Sequence, residues 1–227
     1  MKQSFPLEVF NGHLIIDCDG HQVLVDTGSP ITFGCVNPLT IMGEDYPCYP
    51  SIMGFNIQSV IELLGRDIDA ILGMDILNDY SMVVDCQQGL LTISDGDESF
   101  LDAASMPIQL TMNYVTTQTR VADKSLRFII DTGAQLSYIN PEHMQGQPSI
   151  GQRDDFHPIM GRYQVTVYDI NIHLAGVDLQ AQCGASPALV QQLIAIFDAD
   201  GIIGYDLFAS RKVVLDFPEK TLYVGQS

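Results

Sequence analysis

The run Val23-Leu24-Val25-Asp26-Thr27-Gly28-Ser29 is matched later in the chain by Phe128-Ile129-Ile130-Asp131-Thr132-Gly133-Ala134. In each, an apolar strand ends in a carboxylate at the tip of a loop, where glycine permits a backbone that a side chain would obstruct. A single Asp-Thr-Gly arises by chance in roughly one chain in twenty of this length, and is then mostly a turn. Here the likeness extends further. Ile71-Leu72-Gly73-Met74-Asp75-Ile76-Leu77 recurs as Ile202-Ile203-Gly204-Tyr205-Asp206-Leu207-Phe208, and Val83-Val84-Asp85 as Val214-Leu215-Asp216, before a last apolar segment in each half. Three blocks in one order make a duplication. The seam lies where Asp95-Gly96-Asp97-Glu98 and a run of small residues break the strand pattern, which divides the chain into a lobe at 1–94, a linker at 95–106 and a lobe at 107–227. The acidic residues of that seam lack the glycine and distal glutamate of a calcium-binding loop and read as a solvated linker.

Between the blocks, β-branched and apolar segments bounded by turn residues predict strands at 13–18, 22–26, 82–85, 90–93, 108–112, 126–131, 165–174, 213–217 and 221–224. The protein is expected to be mostly β, with one short helix per lobe just before the second glycine block. Asn56 is positioned to cap a helix over 57–64. In the second lobe Ser186 is placed as an N-cap with Pro187 at the first helical position, and Leu189, Val190, Leu193, Ile194 and Phe197 follow helical spacing.

Composition excludes several functions. With 28 acidic against 10 basic residues the formal net charge is −18, a surface that repels phosphate, so neither nucleic acid nor an anionic membrane is an expected partner. The five cysteines, Cys18, Cys35, Cys48, Cys86 and Cys183, form no Cys-x-x-Cys pair, which argues against zinc and against a disulfide scaffold. The first twenty residues alternate apolar and polar positions and include Glu8, Asp17 and Asp19, unlike a signal peptide; a reducing cytoplasm is the expected compartment. His13, His21, His143, His157 and His173 show no metal-ligand spacing and read as surface residues. Neither a serine-nucleophile elbow nor a phosphate-binding loop is present.

The paired Asp-Thr-Gly loops, each followed by an apolar-apolar-Gly segment, resemble the aspartic peptidases of the pepsin and retropepsin type along essentially the whole chain. The resemblance implies a bilobed fold of two duplicated, small β-barrel-like lobes related by a pseudo-twofold axis. It also implies roles. Asp26 and Asp131 become the catalytic pair, Thr27 and Thr132 bond across the axis, Gly28 and Gly133 shape the loops, and Gly73 and Gly204 cross beneath them. The half-lengths are nearer to a retropepsin subunit than to a pepsin lobe, so the chain looks like a retropepsin dimer fused into a single chain, working as a monomer on a polypeptide substrate.

The halves differ in two respects. From Gly28 to Gly73 is 45 positions and from Gly133 to Gly204 is 71, an excess of 26 in the second half. The family covers its substrate with a hairpin between these motifs, and 147–168 has the length for one, with Met160, Gly161, Tyr163 and Tyr168 as candidate flap residues; the first half shows no comparable segment. Next to the loops, Ser29 in one half answers to Ala134 in the other. The Ser29 hydroxyl either donates to the Asp26 carboxylate, which would make Asp26 the more readily ionised partner, or satisfies a nearby backbone group. Cys35 either lines the cleft or packs as a small residue. Two carboxylates sharing one proton can serve as base and acid toward an attacking water, with no metal or organic cofactor required. The alternative is a non-catalytic lobed module that binds peptide or protein, since fold does not fix function.

Overall fold

The computed structural model describes residues 1–52, 54–96 and 103–225. In the first half, β1 (Lys2–Phe10), β2 (His13–Cys18) and β3 (His21–Val25) lead into the first Asp-Thr-Gly loop. Then come β4 (Phe33–Gly34), the small hairpins β5 (Leu39–Ile41) with β6 (Glu44–Tyr46) and β7 (Ser51–Ile52) with β8 (Phe55–Asn56), and helix α1 (Ile57–Leu64). β9 (Ala70–Leu72), α2 (Met74–Leu77), β10 (Ser81–Asp85) and β11 (Leu90–Ser94) complete the half. The second half runs β12 (Ala104–Thr111), β13 (Tyr114–Val121), β14 (Lys124–Ile130), β15 (Ser137–Ile139), β16 (Gly151–His157), β17 (Gly161–Leu174), β18 (Val177–Ala185), α3 (Ala188–Ala195), β19 (Gly201–Ile203), β20 (Val213–Asp216) and β21 (Thr221–Val224). Single 3₁₀ turns stand at Pro141–His143 and Tyr205–Leu207.

Three sheets organise these strands. An antiparallel sheet in the order β1-β11-β10-β20-β21-β12 takes three strands from each half and is joined in the middle by β10 and β20, with Ser81 opposite Asp216 and Val84 opposite Val213. The first half adds β1-β2-β3-β9-β4, in which the loop-bearing β3 lies parallel to β9. The second half repeats this with β14 parallel to β19, and its sheet closes on itself through β15, β18 and β17 back to β13. The first half has no counterpart of β17 and β18 among the described residues, so its sheet stays open; its small hairpin β5–β6 packs Leu39 and Ile41 into the main core.

Alternation along the strands aims the site. In β3, Val23 and Val25 enter the main core while Leu24 faces the other way; in β14, Phe128 and Ile130 enter it while Ile129 does not. Side chains two apart share a face, so Asp26 lies on the side of Leu24 and Asp131 on that of Ile129. A second layer covers those faces. Helix α1 sets Val60 and Leu64 against Ile15, Leu24, Phe33 and Ile71, and α3 sets Val190 and Ile194 against Ile129. Each such fully buried side chain contributes about 1.5–3 kcal/mol.

Helix α1 begins as read, with the Asn56 side chain accepting from the Ser59 N–H, and ends at Gly65 in the left-handed region at φ 74°. Helix α3 starts one residue later than expected. Pro187 is extended, at ψ 154°, so its carbonyl only begins the helix by accepting from Gln191, and Ser186 makes no capping bond. The first half gains a second short helix, α2, directly after Gly73, where the second half has only the 3₁₀ turn Tyr205–Leu207 after Gly204 and keeps its single α-helix. Of the expected linker 95–106, residues 97–102 lie outside the described residues, and 104–106 are already strand: Ala104 pairs with Val224, which draws β12 into the joint sheet.

Candidate active site

The two loops meet tip to tip. Thr27 and Thr132, both fully buried, interlock: each backbone N–H donates to the other's Oγ1 at 3.0 Å, and each hydroxyl donates at 2.8 Å to a carbonyl of the opposite half, Thr27 to Ile130 and Thr132 to Val25. Gly28 and Gly133 then lie against the opposite carboxylates. A Cβ on Gly28 would fall within 3.0 Å of the Asp131 carboxylate, and one on Gly133 within 3.0 Å of the Asp26 carboxylate, so only glycine lets the loops come this close. Within each loop the glycine N–H donates to its own aspartate, Gly28 to Asp26 Oδ1 at 2.8 Å and Gly133 to Asp131 Oδ1 at 2.9 Å.

Gly73 and Gly204 pass underneath. A Cβ on Gly73 would press within 3.0 Å of the Ser29 and Ile31 carbonyls, and one on Gly204 within 3.0 Å of the Ala134 and Leu136 carbonyls. The residue after each glycine donates its N–H upward, Met74 to Ser29 and Tyr205 to Ala134, both at 2.9 Å. A further pair of carboxylates, given no role from sequence, braces this crossing. Asp75 accepts from the Thr32 hydroxyl at 2.7 Å and Asp206 from the Ser137 hydroxyl at 2.7 Å, and those hydroxyls accept in turn from the N–H groups of Gly73 and Gly204. Their signal in the sequence was the recurrence of Asp two places after each crossing glycine.

Burial pushes the Asp26 carboxyl well above the usual carboxylate range, and the charge of Asp131 adds to it. Asp131 is raised by burial as well, but accepts stabilising bonds from the backbone of Gly133, Ala134 and Gly28. Asp26 likewise accepts from the backbone of Gly28 and Ser29, and burial favours the protonated form of both carboxyls. Of the two roles open to Ser29, the structure shows the backbone one: its hydroxyl donates to the Ile31 carbonyl at 2.8 Å and leaves Asp26 without that donor.

Residues 151–174 do form a hairpin, β16 with β17, closed by a turn in which Met160 donates to the His157 carbonyl and Gly161 takes φ 71°. It touches both halves. Phe156 packs on the Leu24 cluster, Met160 on the Ile129 cluster, and Arg162 donates to the Glu62 carbonyl of α1 at 3.0 Å. Asp155, 8% exposed and paired with Tyr163 close to the turn, anchors the tip end: it accepts from the Tyr138 hydroxyl, from Gln135 Nε2 at 2.6 Å and from the Phe156 N–H at 2.7 Å. Tyr163 shares a hydrogen bond with Tyr138 at 2.8 Å, whereas Tyr168 packs on the main core instead.

Two readings are corrected. His13 is not a surface residue but is 3% exposed, because the turn after β1 carries it under the hairpin beside Phe156. Cys35 neither lines the paired loops nor packs inside; it is exposed, with Sγ against the Asp69 carbonyl at 3.3 Å. His143 gathers with Glu142 and Asp200 so that one ligand-capable atom of each lies within 4.8 Å of the others, a cluster on the second half that sequence spacing did not reveal.

No family model and no curated protein matches the chain. Among solved structures it is similar to the aspartic proteinase from Irpex lacteus, at 11% identity over 100% of this chain and 98% of that one, with a TM-score of 0.56. Shorter matches cover 39% of this chain: the foamy viral protease-reverse transcriptase bound to an RNA/DNA hybrid, at 20% identity and TM-score 0.32, and the simian foamy virus protease, at 17% and 0.30. The first of these spans only 10% of its viral chain, the second 86%. Over its full length, then, this chain has the fold of a pepsin-like aspartic proteinase.

Proposed function

We propose that the chain is an aspartic endopeptidase, a single-chain counterpart of a retropepsin dimer, with Asp26 and Asp131 as its catalytic residues. The observation that carries this reading is the facing of the two carboxylates across interlocked loops, each glycine abutting the opposite aspartate. Like charges this close share one proton. Asp131, ionised, takes a proton from a water whose oxygen attacks the scissile carbonyl carbon; Asp26, protonated, gives its proton to the carbonyl oxygen. As the carbon–nitrogen bond of the tetrahedral diol breaks, Asp131 gives its proton to the departing amine and one diol hydroxyl gives its proton back to Asp26, so that the carboxylic acid and amine products leave with the dyad restored. The hairpin β16–β17 is the cover, contributed by the second half.

The alternative, a binding module without turnover, draws on the first half, whose short hairpins β5–β6 and β7–β8 provide no matching cover. Incubation with a mixed peptide library separates the two. Cleavage blocked by a statine-type inhibitor, and reduced by three orders of magnitude or more in both Asp26→Asn and Asp131→Asn with thermal unfolding preserved, supports the peptidase. Retained turnover in either variant refutes the dyad.

A further inference from the structure

The register of β13 against β14 sets Thr116 opposite Ile129; carried two residues further, it brings Tyr114 level with Asp131 and on the same face. The same count in the first half, from Ile15 opposite Leu24, brings His13 level with Asp26. The two halves fill this place differently. His13 is 3% exposed beneath the hairpin beside Phe156, with its ring engaged by the Gly133 backbone, so it is closed to any ligand. Tyr114 is only half-buried.

Apolar packing fixes the ring of Tyr114. Its centroid lies 4.3 Å from that of Phe197, and its body packs on the Ile129 cluster, which also receives Met160 from the hairpin turn. The preceding Asn113 donates from Nδ2 to the Pro30 carbonyl at 3.3 Å, so the turn that carries Tyr114 is fastened to the loop of Asp26 while it stands beside that of Asp131. The hydroxyl is left over. Among the described residues it is neither enclosed nor hydrogen-bonded, whereas Tyr138 is held by Asp155 and Tyr163 by Tyr138. Burial, and then the charges of Asp131 and Asp26, raise the phenol above its ordinary pKa, so it stays neutral and has a proton to donate. Both carboxylates act on this hydroxyl and neither bonds it, which leaves a gap between the Tyr114 wall and the paired aspartates.

We infer that Tyr114 is a substrate-binding residue whose hydroxyl donates a hydrogen bond to one backbone carbonyl of the peptide, flanking the scissile bond on the Asp131 side. The inference rests on the peptidase reading above. A backbone carbonyl is an uncharged acceptor that every peptide brings past the dyad. A substrate carboxylate would be repelled by the negative charge that the proton-sharing pair retains. The rest of the wall, Phe197 and Met160, offers a side chain apolar contact and no second polar partner. The duplication is thus used unequally: the second half gives a free donor where the first gives a buried histidine.

Tyr114→Phe in the full chain keeps the ring on Phe197 and removes only the hydroxyl. With a peptide that the wild type cleaves, KM is expected to rise about fivefold, with kcat nearly unchanged and the unfolding temperature preserved. The bond is assigned with analogues of that peptide that carry a non-cleavable reduced bond and, at one position after another, a thioamide, whose sulfur is a poorer acceptor than oxygen. Wild-type binding should weaken about fivefold for a thioamide at one position flanking the reduced bond, and that substitution should have no further effect in Tyr114→Phe. Equal KM and equal binding in the two proteins, or thioamide effects of the same size in both, overturn the inference; so does a fall in kcat with KM unchanged, which would place the hydroxyl in the chemistry and not in binding. Cleavage by Tyr114→Phe indistinguishable from wild type leaves the peptidase standing and removes this role. Binding of the reduced-bond peptide that depends on the Tyr114 hydroxyl, with no peptide cleaved, does the reverse.

Discussion

Asp26 carries a property that a single residue can test. Its native pKa lies above the ordinary 3.8, so the folded chain holds a proton there at pH values where the unfolded chain has released it. The stability contributed by this group is full below about pH 4 and is lost as pH rises through the native value. Asp26→Asn removes that loss. Thermal unfolding of wild type and variant should coincide near pH 4 and separate toward neutral pH, with the variant the more stable; a gap that does not widen counts against the buried, proton-sharing pair. Ser29 makes the second residue-scale prediction. Because its hydroxyl serves the Ile31 carbonyl, Ser29→Ala should cost about 1 kcal/mol of stability and leave the acidic limb of the activity profile in place. Movement of that limb to higher pH would show that the hydroxyl reaches Asp26 during turnover.

At the scale of elements, the hairpin β16–β17 decides how the two halves differ in use. Deleting 154–162 would be a poor test of a cover, because it removes buried Asp155 and leaves the Tyr138 hydroxyl without its acceptor, at a cost of about 1–3 kcal/mol. Met160, in the turn and half-buried against the Ile129 cluster, is the better probe. Met160→Ala should raise KM several-fold with little change in the unfolding temperature, since it trims contact in the turn and spares the Asp155 anchor beside it. An unchanged KM would remove the tip from substrate cover. The helices show the same economy. Each fills the apolar face beside its aspartate, Val60 and Leu64 over Leu24, Val190 and Ile194 over Ile129, and so walls the site from either side.

For the whole molecule, the joint sheet is what makes two halves one protein. Met82 and Val84 of β10 and Val213 and Leu215 of β20 are fully buried across the seam, and separating the halves would expose both strand edges as well as the Thr27–Thr132 interlock. Unfolding should therefore be a single transition, with calorimetric and van't Hoff enthalpies in agreement; two resolved transitions would mean the lobes are independent. A net charge of −18 opposes compaction, so raising salt from about 10 to about 150 mM should raise the unfolding temperature by a few degrees. A fall would show that specific ion pairs outweigh the repulsion.

The mostly β class and the two Asp-Thr-Gly loops with the glycines that pass beneath them were legible in the sequence, because strand alternation and glycine-dependent turns are local rules that leave a local imprint. Asn56 as a helix cap was legible for the same reason. What the sequence could not express were choices between partners distant along the chain. The Ser29 hydroxyl had two acceptors within reach, and only the folded path of the loop shows that it takes the Ile31 carbonyl rather than Asp26. His13 reads as a surface histidine until β16 and β17 fold over it from the other half. Asp75 and Asp206 acquire a purpose only when Thr32 and Ser137 are brought against them. Local periodicity determined which residues face inward; the tertiary structure decided which of them meet, because burial removes water as a partner and leaves each polar group only the neighbours that packing supplies.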